Sequence, residues 1–167
     1  MRQSKPILAL LASLLFIQLS WAVDPNDTRI LTQPAISTNH ISFMYAGDIW
    51  VENRDGSNPK RLTVDKGIEF APAFSPDGKT IAFSGEYYGN TDIYTIPVEG
   101  GNPVRLTLHP YPDVVRGFTP DGKSIIFNSQ RVGATGRYQQ LFTVPVNGGI
   151  ATRVEIQNAT WASFSPD

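Results

Sequence analysis

No cysteine occurs anywhere in the 167 residues, which excludes disulfide staples, thiolate metal sites and cysteine nucleophiles in any compartment. Charge of one sign is also missing. Lysine and arginine total 14 against 15 aspartates and glutamates, so the chain projects no long-range field that would recruit nucleic acid or an anionic bilayer. Histidine is confined to His40 and His109, and neither a Gly-x-Ser-x-Gly nor a His-Glu-x-x-His motif is present. Apolar residues spaced by three and four, the mark of an amphipathic helix, are not sustained beyond the first two dozen positions. Stability must therefore come from the packing of strands, and the apolar content of 41% is enough for a core.

One long apolar run exists. Arg2 and Lys5 precede a stretch from Ile7 to Leu19 rich in leucine, isoleucine and alanine, and Ser20-Trp21-Ala22 places small residues either side of a bulky one. This is the pattern of a signal peptide over residues 1–22. The run is shorter than the roughly 20 residues that span a bilayer, so cleavage after Ala22 is expected. The mature chain would then begin at Val23 and be secreted or periplasmic, with no membrane association beyond the leader.

From there the chain repeats. Phe74-Ser75-Pro76-Asp77-Gly78-Lys79-Thr80-Ile81-Ala82-Phe83 returns as Phe118-Thr119-Pro120-Asp121-Gly122-Lys123-Ser124-Ile125-Ile126-Phe127, 44 positions on (74 to 118). A third copy opens at Phe164-Ser165-Pro166-Asp167, 46 positions further (118 to 164). Other residues keep step: Asp48-Ile49-Trp50 with Asp92-Ile93-Tyr94 and Gln140-Leu141-Phe142, and Arg61-Leu62-Thr63 with Arg105-Leu106-Thr107 and a degenerate Arg153-Val154. In Ser-Pro-Asp-Gly, proline presets the second turn position, aspartate bonds back to the chain and glycine accepts the positive φ that lets a strand resume. A variable second turn and a regular third, as in Asp55-Gly56, Gly100-Gly101 and Gly148-Gly149, divide each unit into four strands.

Four antiparallel strands repeating every 40 to 50 residues or so are the signature of a propeller blade. The expected fold is all-β: residues 23–167 form the N-terminal part of a β-propeller of four-stranded antiparallel blades. The repeats lie near 30–63, 69–107 and 113–156, with a further blade starting at 159–167. The first strand of the first blade is assigned to Ile30 to Thr32. Propellers close with about four to eight blades, so about three blades make an incomplete ring and the chain is expected to be a fragment.

No catalytic, cofactor-binding or metal-binding residue is assigned. Asp77, Asp121 and Asp167 sit inside repeated turns, where aspartate has a local backbone role rather than a place in a carboxylate ring. Trp50, Tyr94 and Phe142 recur at one blade position and are assigned to packing between blades. Arg61 and Arg105 are assigned to closing the fourth strand, and His40 to a solvated turn. The most individual loop is Glu86-Tyr87-Tyr88-Gly89-Asn90, and His109 lies in a proline-rich link between blades. Glu86, Tyr87, Tyr88 and His109 are the candidate peptide contacts.

These motifs, together with Gly47-Asp48-Ile49-Trp50 and Gly-Gly-x-Pro-x-Arg-Leu-Thr, resemble the TolB-like propeller repeat over roughly Arg29 to Asp167. More narrowly, a propeller starting directly after a leader resembles the N-terminus of bacterial tricorn protease homologues. TolB carries a separate α/β domain ahead of its propeller, and no room for one exists between Val23 and the first repeat. The resemblance implies a serine peptidase whose propeller admits or binds peptides while its catalytic residues lie in a distant core; the secreted start departs from the cytosolic archaeal members. An alternative is a periplasmic protein-interaction propeller of TolB type without enzymatic activity. Partners are thus expected to be peptides or proteins, and oligomeric state is left open.

Overall fold

The structure, a computed structural model, describes residues 31–131, 138–156 and 159–164. The leader at 1–22 and Asp167 lie outside the described residues. Twelve strands and no helix are present among those described. They form three sheets, each a four-stranded antiparallel meander. Blade one comprises β1 (Thr32–Ile36), β2 (His40–Tyr45), β3 (Asp48–Asn53) and β4 (Lys60–Arg61); blade two comprises β5 (Glu69–Phe74), β6 (Thr80–Gly85), β7 (Asp92–Pro97) and β8 (Val104–Arg105). Blade three comprises β9 (Asp113–Phe118), β10 (Ser124–Ser129), β11 (Gln140–Pro145) and β12 (Thr152–Arg153).

The expected turns are present in atomic detail. Gly78 and Gly122 have φ of 70° and 68°. Asp77 accepts hydrogen bonds from the Ser75 hydroxyl at 2.6 Å and the Lys79 amide at 3.1 Å, and Asp121 does the same with Thr119 and Lys123. These bonds hold both carboxyls below the usual aspartate range, which explains their recurrence without any ligand. His40 opens β2 rather than sitting in the turn, which is closed by Ser37: its hydroxyl accepts from the His40 amide at 3.0 Å.

The first strand of blade one runs Thr32–Ile36, later than the Ile30 to Thr32 expected from sequence. Pro34 obscured it, because proline removes a ladder donor. The structure accommodates it at a bulge, where the pairing skips from Thr32↔Met44 to Ala35↔Ser42. Blade two repeats the device, with Ala71 and Pro72 between the paired Phe70 and Ala73, and Gln33 and Ala71 take φ of 54° and 53° there. Blade three bulges at the same place on β9, leaving Arg116 between Val115 and Gly117. Ala159 to Phe164, expected to open a further blade, carries no strand.

Each blade has two different faces, set by strand alternation. Ile81, Phe83, Tyr94 and Ile96 of blade two pack on Ile49, Val51 and Leu62 of blade one. The opposite face gives Ala82 and Ile93 to Val115, Phe118, Ile125, Phe127, Phe142 and Val144 of blade three. The recurring aromatics occupy one cross-strand register: Phe43↔Trp50, Phe83↔Tyr94 and Phe127↔Phe142. The last two pairs stack with centroids 5.8 and 5.7 Å apart. Burying a side chain such as Phe83 contributes about 2 to 3 kcal/mol, and these contacts are between blades, so stacking the sheets creates the core.

Candidate functional site

In a four-stranded meander, the second turn and the linker to the next blade emerge at one end, and the first and third turns at the other. The linker end therefore gathers Val64 to Ile68, Glu86 to Thr91 and Leu108 to Pro112. Backbone hydrogen bonds tie these segments together: Glu69 N to Gly47 O at 2.8 Å, Glu86 N to Ile68 O at 3.0 Å, and Asp113 N to Thr91 O at 2.9 Å. Each blade's second loop thus braces the linker that starts the next blade.

The repeated Asp-Ile and Arg-Leu-Thr motifs meet at this same end. Arg61 donates to Asp48 at 2.8 Å and Arg105 to Asp92 at 2.5 Å. The hydroxyl oxygens of Thr63 and Thr107 accept the Ile49 and Ile93 amides, both at 2.9 Å. The arginines thus close the fourth strand, as their recurrence suggested, by pairing with the aspartate that starts the third. In blade three the motif has decayed to Gln140 and Arg153-Val154-Glu155, and Gln140 Oε1 and Arg153 Nε are buried without hydrogen-bond partners among the described residues. There Arg131 pairs instead with Asp113 and lies over the rings of Phe127 and Phe142.

Of the four candidate contacts, Glu86, Tyr88 and His109 reach this surface. Tyr88 is 77% exposed, with the Arg105 guanidinium 5.4 Å from its ring centroid. Glu86 accepts from the Thr91 hydroxyl at 3.3 Å. The Asn90 side-chain amide donates to the His109 carbonyl at 2.5 Å, locking loop to linker. His109 Nδ1 accepts the Tyr111 amide at 3.2 Å, and the two rings stack at 5.8 Å. Between these walls lies a depression of about 330 Å³ lined by Glu86, Gly89, Asn90, Thr91 and Pro112.

Tyr87 turns the other way. Its ring packs against Tyr94 at 4.6 Å and Phe83 at 6.5 Å, and its hydroxyl is shut off from solvent. It reaches toward Glu69, a wholly buried carboxyl at the junction of blades one and two. Glu69 Oε2 accepts from the Thr63 hydroxyl at 2.9 Å, while Oε1 has no hydrogen-bond partner among the described residues. Burial pushes its pKa up to about 7, against the lowering effect of Thr63 and Tyr87, with Asp48 and Asp65 adding to the rise. Burial first, and then the charge of Glu69, raises the Tyr87 phenol in turn.

Thr91, Pro112 and Glu69 were not singled out from sequence, and Asn90 was named only as the end of its loop. For Glu69 a signal existed: it stands five residues before Phe74, as Asp113 stands five before Phe118, so extending the repeat leftward exposes an acidic position at the start of an apolar strand. A second cavity, about 520 Å³, runs along the inner strands beside Gln33, Phe70, Ala71, Val115 and Arg116. No cluster of three or more potential metal ligands occurs among the described residues.

Comparison with known proteins supplies the context. A family model described as the tricorn protease N-terminal beta propeller domain matches residues 28–167. The chain is 35% identical over 69 residues to a putative tricorn protease homolog 2 of Streptomyces coelicolor, covering 41% of this chain and 6% of that protein. It is 34% identical over 56 residues to a protein TolB homolog of Chlorobium luteolum, covering 34% of this chain and 13% of that protein. Among solved structures, the tricorn protease superposes with a TM-score of 0.71 at 23% identity, over 81% of this chain and 14% of that one; at that identity the likeness speaks for the fold. The chain spans a small part of each of these relatives.

Proposed function

The chain belongs to the tricorn protease N-terminal β-propeller family, and on that footing we propose that it is the peptide-binding propeller segment of a secreted or periplasmic serine peptidase. It carries no catalytic group of its own in this reading; it admits or holds peptides for a catalytic core elsewhere in the polypeptide. The observation that supports this is the 330 Å³ depression lined by Glu86, Gly89, Asn90, Thr91 and Pro112 at the linker end, with the exposed Tyr88 on the same loop and the stacked His109 and Tyr111 on the same linker. Loops held by a rigid sheet scaffold, with exposed aromatics and a few polar groups, are suited to peptide recognition. Tyr87 contributes from beneath, by holding the loop to the blade rather than by touching ligand.

The test is fluorescence anisotropy with a labelled peptide mixture of eight to ten residues or so. Binding that weakens at least fivefold in a Tyr88→Ser, His109→Ser double variant supports the proposal; binding untouched by that change, or none, overturns it. A second reading is favoured by the 34% identity to a TolB homolog: an envelope interaction module with no peptidase attached. Stable recovery of envelope proteins by the full-length gene product, with no peptide cleavage by it, would select that version.

A further inference from the structure

Among the described residues that line the depression at the linker end, Glu86 alone is charged. Glu86 engages Thr91 through Oε1, and no described arginine or lysine forms an ion pair with it, since Arg61, Arg105 and Arg131 are taken by Asp48, Asp92 and Asp113. The rest of its wall is Gly89, Asn90, Thr91 and Pro112. Asn90 is committed to the His109 carbonyl. A carboxylate in a concave wall without a described countercharge complements a cationic nitrogen.

Exposed apolar residues stand on the same loop and linker. Tyr88 and Tyr111 adjoin the wall residues Gly89 and Pro112 in sequence, and Leu108 is 81% exposed. Leu108 is also one of a set. The residue following Arg-Leu-Thr or its degenerate copy is Val64, Leu108 or Ile156, and all three are exposed. The three leave their blades in the same register, because Leu62, Leu106 and Val154 donate to Ile49, Ile93 and Leu141 respectively. A lone exposed aliphatic residue is ordinary; the same exposed position in every blade marks a surface that meets apolar groups.

Resting on the peptide-binding reading, we propose that the linker end selects peptides carrying a cationic nitrogen, seated against Glu86, beside bulky apolar side chains that lie on Leu108, Tyr88 and Tyr111. Both an unblocked amino terminus and a lysine side chain supply that nitrogen.

Four hexapeptides labelled at the carboxyl end separate the possibilities by fluorescence anisotropy: one alternating leucine and serine with a free amino terminus, its acetylated form, the acetylated form with one lysine, and a free-amino form with serine replacing every leucine. The first is expected to bind, and acetylation and loss of leucine each to weaken it at least tenfold. Recovery by the lysine peptide assigns the nitrogen to a side chain; continued weakness assigns it to the amino terminus. Glu86→Gln is expected to weaken the free-amino peptide at least tenfold and leave the acetylated one within twofold. Peptides that bind equally well when acetylated, or a silent Glu86→Gln, overturn this inference while leaving peptide binding intact. Failure of all four peptides, and of the labelled mixture above, overturns both.

Discussion

Replacing Glu69 by glutamine should change how stability depends on pH, and by an amount the structure sets. The carboxyl is fully buried at the junction of blades one and two, with a pKa near 7 against an ordinary value of 4.5. Between those values the folded protein keeps a proton that the unfolded chain releases, so stability from this group is full below about pH 4.5 and falls as pH rises toward 7. At about 1.4 kcal/mol per pH unit, the loss is about 3 kcal/mol. Glutamine carries no such cost. Chemical denaturation of both proteins at pH 5 and pH 8 isolates the effect from other carboxyls, since Asp55, Asp77 and Asp121 are common to both. The variant should gain about 2.5 kcal/mol relative to the parent on going from pH 5 to pH 8, since part of the loss has already occurred by pH 5. A difference between the two proteins that stays constant across that range would refute the reasoning.

Three further outcomes follow from particular contacts. A Cβ on Gly67 would stand 2.3 Å from the Glu86 carbonyl oxygen, so Gly67→Ala must shift backbone. It should cost about 1 to 3 kcal/mol in denaturant melts and weaken peptide binding; an unchanged midpoint would count against the close approach. Arg105 is 28% exposed over a buried Asp92, whereas Arg61 is 44% exposed over Asp48. Both aspartates are buried, but water reaches the Arg61 pair more freely, so Arg105→Leu should cost about 3 kcal/mol or more and Arg61→Leu less than that; equal losses would refute that ordering. Mass spectrometry of the protein from the cell envelope should give Val23 as the first residue, and an intact Met1 would exclude the leader.

The architecture was legible because its signals are local and repeated. Pro-Asp-Gly at 44-residue spacing needs only the backbone preferences of three residues to be understood, and the turns around Asp77 and Asp121 are bonded as those preferences require. What stayed hidden depends on residues distant in sequence. The first strand of blade one was placed too early, because only the bulge around Pro34 shows two residues facing one on the neighbouring strand. Glu86, Tyr87 and Tyr88 were indistinguishable as a polar loop, yet Tyr87 is drawn inward by Tyr94 and Glu69 while its neighbours face solvent. Which tyrosine of an adjacent pair is buried depends on side chains brought in from other strands, and no local pattern encodes that.

The two ends of the blades answer to different constraints, and this bears on where binding can diversify. At the turn end Asp77 and Asp121 satisfy their own corners, within four residues of chain; a change there is felt locally, and the sequence repeats almost verbatim. At the linker end the bonds tie each blade to the next, from Glu69 to Gly47, Asn90 to His109 and Thr63 to Glu69. The same geometry is met by different residues in successive blades: Ser84 accepts the Val115 amide at 2.9 Å, while Met44 holds the equivalent place in blade one and Gln33 accepts the Ala71 amide at 2.5 Å instead. Because the backbone ladder carries the sheets, the junction side chains vary as long as each buried donor finds an acceptor. Variation concentrated where loops from adjacent blades meet is what lets one scaffold present a distinct surface at each junction. Ser84→Ala tests the limit of that freedom: it leaves the buried Val115 amide unpaired and should cost about 1 to 3 kcal/mol, whereas Ser84→Thr, which keeps the acceptor, should recover most of it.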